Sequence, residues 1–357
     1  MFLFSFVAVA QHHDEEHAQH AHELAVEPVS SLRDEIKEFI NHHLLDSHDF
    51  GLFSYENEQG EEVHVGAPLP VILYDSESGL NIFASSKFHH GETVAENNGN
   101  YFKLFHGKIY KTNASGAISY DAHHHATNVK PFDFSITKNV TFIFLVGLLM
   151  FLVFTKMAKN YKTNTMPKGF GRLLEPIILY VRDDIAIPNI GHKHYKKYMS
   201  YLLTVFFFVW IVNLLGLTPV GINVTNNIAV TLSLALVTYF LTTFTANKNY
   251  WKHIFWMPGV PTPMKFLLAP IELLGTIIKP FSLMIRLYAN ITAGHIVLMS
   301  IIGMMFIFKN WIGSPLSFGL AFALSLLELL VAALQAYIFT MLSALYFGSA
   351  VEEHDDH

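Results

Sequence analysis

The chain has 357 residues, of which 52% are hydrophobic and 14% are aromatic, and its mean hydropathy is +0.33. This composition is too apolar for an ordinary soluble protein. Charged residues are concentrated outside the apolar runs, so the formal net charge of −6 identifies no partner, and no nucleic-acid partner is expected. The chain contains no cysteine, which excludes disulfide and thiolate chemistry.

The first 30 residues divide into an apolar run and a His-rich segment. Residues 1–10 are apolar and end in Ala8-Val9-Ala10, which favours a signal peptide. A positive n-region is missing, so a plain apolar terminus stays the alternative. Residues 11–30 begin with the tract QHHDEEHAQHAH, and we expect a disordered leader there. Zinc or copper binding is the alternative, for this tract and for His123–His125.

Residues 31–130 predict a small α/β domain. Ser31–Leu45 has apolar residues at helical spacing and is expected to form an amphipathic helix. Short apolar runs between Gly, Asn and Asp turns then predict strands at Val63–Val65, Pro70–Tyr74, Leu80–Phe83 and Lys108–Tyr110. No catalytic constellation is present in this segment, so we expect a structural or assembly role.

Residues 131–357 predict an all-α polytopic membrane domain with about five membrane helices. The apolar runs are Asn139–Phe154, Ser200–Leu217, Ile228–Ala246, Met264–Ile307 and Leu316–Gly348. The last two exceed the roughly 20 residues that a perpendicular span needs. They should therefore tilt strongly or lie partly along the membrane plane, as a long inclined C-terminal hairpin.

The distribution of basic residues predicts the orientation. Cytoplasmic loops carry an excess of Lys and Arg, and the segment between residues 156 and 197 is rich in both. The next connection on that side holds Lys248, Lys252 and Lys265, whereas residues 218–227 carry no charge. We therefore expect the N-terminal domain outside the cytoplasm and the C-terminus inside it.

Arg286 lies within an otherwise apolar helix, which makes it a functional candidate. Its guanidinium stays protonated, and a charge at the centre of a membrane helix costs at least about 2.5–3.5 kcal/mol. Glu272 and Lys279 precede it at intervals of seven residues and share its face, with Asn290 at the edge. For Lys279, a side chain that merely reaches the interface is the alternative. His295 points to nearly the opposite side.

The last helix carries Glu328 and Gln335 in its apolar interior. If the two long helices fold back antiparallel about residue 311, Gln335 lies level with Arg286. Glu328 then lies level with His295 to within about 3 Å. Purely structural alternatives are an ion pair of Arg286 with Glu272 or Glu328, a hydrogen-bonded His295–Glu328 pair, and Asn290 and Gln335 as links between helices.

Residues 130–357 contain four distinctive motifs. They are Asn213–Pro219, Val230–Ala235, the run KPFSLMIRLYANITAG from Lys279 to Gly294, and Gln335-Ala336-x-Ile338-Phe339 with the terminal Glu352-Glu353-His354. In this combination they resemble the a-subunit family of the bacterial rotary F-type ATP synthase. The N-terminal third lies outside the common pattern.

The resemblance implies a proton-translocating stator subunit that has no enzymatic activity of its own. Carboxylates of the rotor c-ring would pass Arg286 one at a time and exchange protons with two aqueous half-channels, while Arg286 blocks leakage between them. It also implies contact with membrane lipid and peripheral-stalk b subunits, an indirect link to the catalytic head, and a location in the bacterial inner membrane. No cofactor or metal is expected.

The resemblance also suggests roles for the other polar residues. His295 and Glu328 would transfer protons in the outer half-channel. Bacterial relatives often carry an acid at the first of these positions and a histidine at the second, so the pair is exchanged here. Asn290 and Gln335 would orient water or Arg286, and Glu272 would mark the mouth of the inner half-channel.

Two alternative functions share some of these sequence features. A secondary ion transporter with a midplane Arg/His/Glu site usually has repeated halves with broken helices, and no internal repeat is apparent. A membrane metalloprotease needs a ligand cluster such as HExxH, and the apolar segments contain none.

Overall fold

The computed structural model describes residues 46–56, 62–91, 93–105, 107–121, 126–163, 169–218, 224–257, 260–307 and 313–352. The expected signal segment, the His-rich leader, the helix Ser31–Leu45 and the tract His123–His125 lie outside these ranges. The described chain has a small N-terminal part built of strands and a larger helical part, as the sequence predicted.

The N-terminal part contains eight described strands: β1 Asp49–Glu56, β2 Glu62–Pro68, β3 Pro70–Asp75, β4 Gly79–Ala84, β5 Ala95–Asn97, β6 Asn100–Phe105, β7 Lys108–Thr112 and β8 Phe132–Asp133. They form antiparallel sheets in the orders β1-β2, β4-β3-β8 and β5-β6-β7. The hairpin between β5 and β6 turns on Asn98-Gly99, where both residues have positive φ. All four predicted strands are present.

A separate apolar core holds this part together. Val71 and Leu73 of β3 point inward together with Phe83, Phe102 and Ile109 from the neighbouring strands. The alternation of buried and exposed residues along β3 and β4 is the period of a strand with one face toward a core. The N-terminal part therefore does not depend on the helices for its apolar core.

The helical part contains eight described helices: α1 Lys138–Thr163, α2 Phe170–Tyr180, α3 Ile187–Ile190, α4 Tyr195–Gly216, α5 Ile228–Thr245, α6 Lys248–Phe255, α7 Thr262–Ile307 and α8 Gly313–Val351. Five of them, α1, α4, α5, α7 and α8, are long and apolar enough to cross a membrane. The five predicted spans are therefore confirmed. Their ends differ, because α1 continues past Phe154 through a polar, lysine-containing segment.

The sequence did not predict the helices between α1 and α4. Residues expected to form a basic loop instead form α2, a π-helical turn at Val181–Ala186, and α3. The segment packs on α8, where a Cβ at Gly348 would lie 1.9 Å from the Asn189 carbonyl oxygen. Val181, Ile185 and Ile190 are buried in this contact region. The many charged residues of this segment favoured a loop in the sequence analysis, although α2 is a helix with one apolar face.

The helices α7 and α8 form the antiparallel hairpin that the sequence predicted. Near its open end, the Lys279 ammonium lies 5.5 Å from the centroid of the Tyr346 ring. Closer to the turn, a Cβ at Gly294 would lie 3.0 Å from Glu328 Oε1. Both contacts join residues that are nearly equidistant from residue 311, which agrees with the predicted register.

Contacts between elements show which parts of the chain lie at each end of the helical bundle. At one end, α1 begins beside the N-terminal part, where the Lys138 amide donates to the Ser47 carbonyl at 2.8 Å. At the other end, the Tyr198 hydroxyl of α4 donates to Thr245 Oγ1 of α5 at 2.7 Å. The N-terminal part and the beginning of α4 therefore lie at opposite ends of the membrane helices.

Candidate functional site

Arg286 lies on an exposed side of α7. Its neighbours on this side include Ile278 and Ile285, which are 61% and 55% exposed. Within the described residues, no carboxylate lies within salt-bridge distance of Arg286. The alternative of an ion pair with Glu272 or Glu328 therefore finds no support. The described residues therefore supply no ionised partner for the Arg286 guanidinium.

A cavity of about 390 Å³ lies between α4, α7 and α8. Its wall combines apolar side chains with polar residues from all three helices: Asn213, Asn290, His295, Glu328 and Gln335. Four of these were predicted from the sequence as site residues. The fold therefore brings Asn290, His295, Glu328 and Gln335 together around one space, although it leaves Arg286 on the outer face.

Glu328 and His295 are buried in this cavity, with only 8% and 7% of each residue exposed. Oε2 of Glu328 has no hydrogen-bond partner among the described residues. Its Oε1 approaches the backbone of α7 closely, because residue 294 is glycine and has no side chain there. A buried carboxyl oxygen without a protein partner is a site for water or for a proton.

Asn213 is a site residue that the sequence reasoning did not single out. Its side chain is buried, and its Oδ1 accepts a hydrogen bond from Thr225 Oγ1 at 2.9 Å. Its Nδ2 has no partner within the described chain and lies at the wall of the same cavity. The sequence signal for this residue is a single amide side chain inside the apolar helix α4. In the sequence analysis, Asn213 appears only as part of the motif Asn213–Pro219.

Glu272 and Lys279 lie toward the other end of α7. Glu272 is separated from His295 by about 35 Å along the helix. Burial raises the pKa of the Tyr250 hydroxyl on α6, and the neighbouring Tyr239 and Glu272 act in the same direction. A narrow cleft nearby is lined by Lys279, Tyr346 and the hydroxyl groups of Thr242, Thr276 and Tyr250. The polar residues of α7 thus divide between two separate regions.

Within the described ranges, no three His, Asp or Glu side chains lie close enough together to hold a metal ion.

Two family models match the chain. The model described as ATP synthase A chain matches residues 140–348, and one described as Domain of unknown function (DUF8433) matches residues 39–134.

Three curated relatives illustrate the similarity. An ATP synthase subunit a 2 from Chlorobaculum tepidum is 43% identical over 238 residues, covering 64% of this chain and 67% of that protein. ATP synthase subunit a from Chlorobium phaeobacteroides strain DSM 266 is 46% identical, covering 63% and 68%. The subunit from Myxococcus xanthus is 41% identical, covering 63% and 77%. The chain therefore belongs to the ATP synthase subunit a family, and it is a multi-pass, non-catalytic membrane subunit that conducts protons in the stator and assembles with other ATP synthase subunits.

Proposed function

We propose that protons cross this subunit through two half-channels that meet the carboxylates of a rotor c-ring beside Arg286. The observation that carries this proposal is the exposed Arg286 guanidinium on α7, which has no carboxylate partner within the described residues. A rotor carboxylate brought to this face would supply the missing partner. The family membership makes such a ring the expected neighbour.

Arg286 acts as an electrostatic gate in this proposal. Its pKa is too high for it to release a proton, so it cannot carry protons itself. Its charge favours the ionised form of a carboxylate that comes within about 4–6 Å. Each rotor carboxylate would therefore lose its proton near Arg286 and regain one after passing it. The membrane potential contributes about 2.3 kcal/mol per charge for each 100 mV.

The cavity between α4, α7 and α8 serves as the outer half-channel. Its polar wall supports this role, because Glu328 and His295 are both titratable side chains and lie buried beside a space that accommodates water. These two residues transfer protons from the outer solution toward the ring. Asn290 and Gln335 orient water, or Arg286, by hydrogen bonding.

Glu272 marks the mouth of the inner half-channel. This role is supported by the position of Glu272 near the opposite end of α7. Glu272 lies there beside the hydroxyl-lined cleft that includes Tyr250 and Thr276. A proton released from the ring beside Arg286 leaves through this region. Lys279 lies within the same cleft and tunes its charge.

We place the N-terminal domain in the periplasm and the C-terminus in the cytoplasm of a cell whose inner membrane holds the complex. The basic residues near Lys156 and Lys197 lie toward the end of the bundle opposite the N-terminal part, in agreement with the positive-inside rule. Peripheral-stalk b subunits hold this subunit against rotation, and the catalytic head is coupled to it indirectly. Family membership leaves no support for the secondary transporter or the metalloprotease.

The substitution Arg286→Ala tests the gate. We expect the variant complex to assemble with its ring but to lose proton pumping and ATP synthesis, because nothing then forces ring carboxylates to ionise. Pumping in membrane vesicles and ATP synthesis are measured beside wild type. Arg182→Ala is the matched control, since this arginine is exposed and paired with Asp183 at 2.7 Å, outside the long helices. An assembled Arg286→Ala complex that couples normally would contradict the proposal.

A further inference from the structure

Asp46 connects the N-terminal domain to the membrane helices through one carboxylate. Its Oδ1 accepts a hydrogen bond from the Asn139 amide at the start of α1, at 3.3 Å. Its Oδ2 accepts from Nδ2 of Asn227, the residue that caps α5, at 3.4 Å. Asp46 lies outside the residues matched by the ATP synthase A chain model. The carboxylate therefore belongs to the part of the chain that the DUF8433 model matches, outside the matched membrane domain.

The turn before α5 links Asp46 to the wall of the cavity. Three consecutive polar side chains in this turn each bond to a different element, in the pairs Thr225 to Asn213, Asn226 to Thr292, and Asn227 to Asp46. Asn213 lines the cavity itself, and Thr292 lies between the lining residues Ile291 and Ala293. Asp46 is therefore connected to the cavity wall through the side chains of this one turn.

The cavity independently requires water or protons. Glu328 Oε2 and Asn213 Nδ2 are buried there and have no protein partner among the described residues. Buried polar groups of this kind are satisfied by water in folded proteins. The turn that Asp46 holds bonds to one of these two residues, Asn213, through the hydroxyl of Thr225.

We propose that the Asp46 carboxylate is a proton-collecting group at the outer entrance of the half-channel, supplied by the N-terminal domain. This inference rests on the proposed function of the cavity. The ionised carboxylate takes a proton from the outer solution and passes it to water at the entrance, from which it reaches Glu328. Asp46 returns to its ionised form, so each transfer leaves no charge behind.

The described charged groups around Asp46 come from three elements. Lys138 at the start of α1 interacts with it electrostatically. His48 and Asp49 follow it on its own segment, and His48 is bonded to Asp133 of β8 at 2.9 Å.

A negative group at the mouth of a cleft raises the local concentration of cations and their rate of entry. This matters most when protons are scarce, so the contribution of Asp46 should grow as the outer solution becomes alkaline.

The test uses the whole ATP synthase in liposomes, with a fixed potassium diffusion potential and with the pH on the N-terminal-domain side varied from about 6 to about 9. The variant is Asp46→Asn, which keeps the size of the side chain and an acceptor oxygen. We expect wild-type ATP synthesis at acidic pH and a loss of about three- to tenfold at alkaline pH. An equal fractional loss at every pH would show that Asp46 is only a clamp, and an unchanged profile would show that it contributes nothing. Either result overturns the inference.

Two further variants make the result specific. Glu77→Gln removes a carboxylate of the same domain that is 82% exposed at the far end of β3, and we expect it to behave as wild type. The same pH-dependent loss in Glu77→Gln would indicate general surface charge and overturn the inference. Glu328→Gln separates the two proposals. If it is inactive while Asp46→Asn matches wild type, the cavity conducts protons without Asp46. If Glu328→Gln and Arg286→Ala both conduct normally, the proposed function itself fails.

Discussion

At the scale of single residues, Glu328 has the most demanding environment in the described chain. A carboxyl group that is removed from water and left with an unpartnered oxygen is costly unless water or a proton satisfies it. The glycine at position 294 allows this group to lie against the facing helix, and a side chain there would push it away. The local sequence thus places the carboxylate close to His295 of the other arm.

Replacing Glu328 by glutamine should abolish most proton transfer. The amide has nearly the same size but cannot take up and release a proton, so we expect proton-driven ATP synthesis to fall by about 10²-fold. Glu328→Asp keeps a titratable group on a shorter side chain and should retain a clearly larger share of the activity. Rates are measured in vesicles at equal amounts of assembled complex. Equal rates for the two variants would mean that titration of this residue is not needed.

At the scale of elements, the fit between α8 and the α2–α3 segment depends on a glycine. A Cβ at position 348 would lie 1.9 Å from the backbone oxygen of Asn189, which cannot rotate away as a side chain could. The Asn189 amide also donates to the Ile185 carbonyl at 2.7 Å and thereby stiffens the segment. The close approach of two backbones fixes where the end of α8 lies relative to α3.

Gly348→Ala should therefore destabilise the helical part. Overpacking at a rigid contact costs about 1–3 kcal/mol, and a backbone clash lies at the upper end of this range. Gly319→Ala is the matched control, because that position in the same helix has open space around it and alanine favours a helix. Thermal unfolding of the purified complex in detergent gives the comparison. Equal midpoints for the two variants would refute the tight contact.

At the scale of the whole molecule, the N-terminal part contains an ion pair that responds to pH. Lys111 bonds to the buried Asp75 at 2.7 Å and to the exposed Glu77 at 2.8 Å. The Lys111 ammonium holds the pKa of Asp75 below its usual range against the opposing effect of burial. The same hydrogen bonds, first that to Asp75 and then that to Glu77, raise the pKa of Lys111.

The ion pair predicts how the N-terminal domain unfolds with pH. The contribution of Asp75 is complete above the ordinary carboxyl pKa of about 3.9 and is lost as pH falls through its lowered value. The contribution of Lys111 is complete below about pH 10.4 and is lost as pH rises through its raised value. The protection factors of the backbone amides in β3 and β7, which correct the exchange rates for the intrinsic pH dependence of amide exchange, should therefore decrease only at these two extremes.

Lys111→Met supplies the check. It leaves a buried carboxylate without its cation, so we expect a loss of about 3 kcal/mol at neutral pH and a flatter dependence below about pH 4. Glu77→Gln should change little, because that carboxylate is almost fully exposed. The same slope of stability against acid pH in wild type and Lys111→Met would contradict the assignment.

Local sequence determined the elements that depend on local pattern. Membrane spans follow from continuous apolar runs, and strands such as β3 and β4 follow from apolar residues between turn residues. Arg286, His295 and Glu328 stood out because an ionisable group inside an apolar helix is expensive. The hairpin register followed from one turn position and a constant helical rise. β1 was missed because Gly51 and Ser54 interrupt its apolar pattern.

Only the tertiary structure decided which distant residues share a site. Asp46 and Asn227 are 181 residues apart, and the sequence around neither residue predicts that the two are in contact. The roles of the buried Asn213 amide and of Gly348 likewise depend on the element that each residue faces in the folded chain. Apolar burial specifies that helices pack, but it is not directional and leaves open which polar atoms meet. Hydrogen bonds and backbone contacts between elements select those partners, and they exist only in the folded chain.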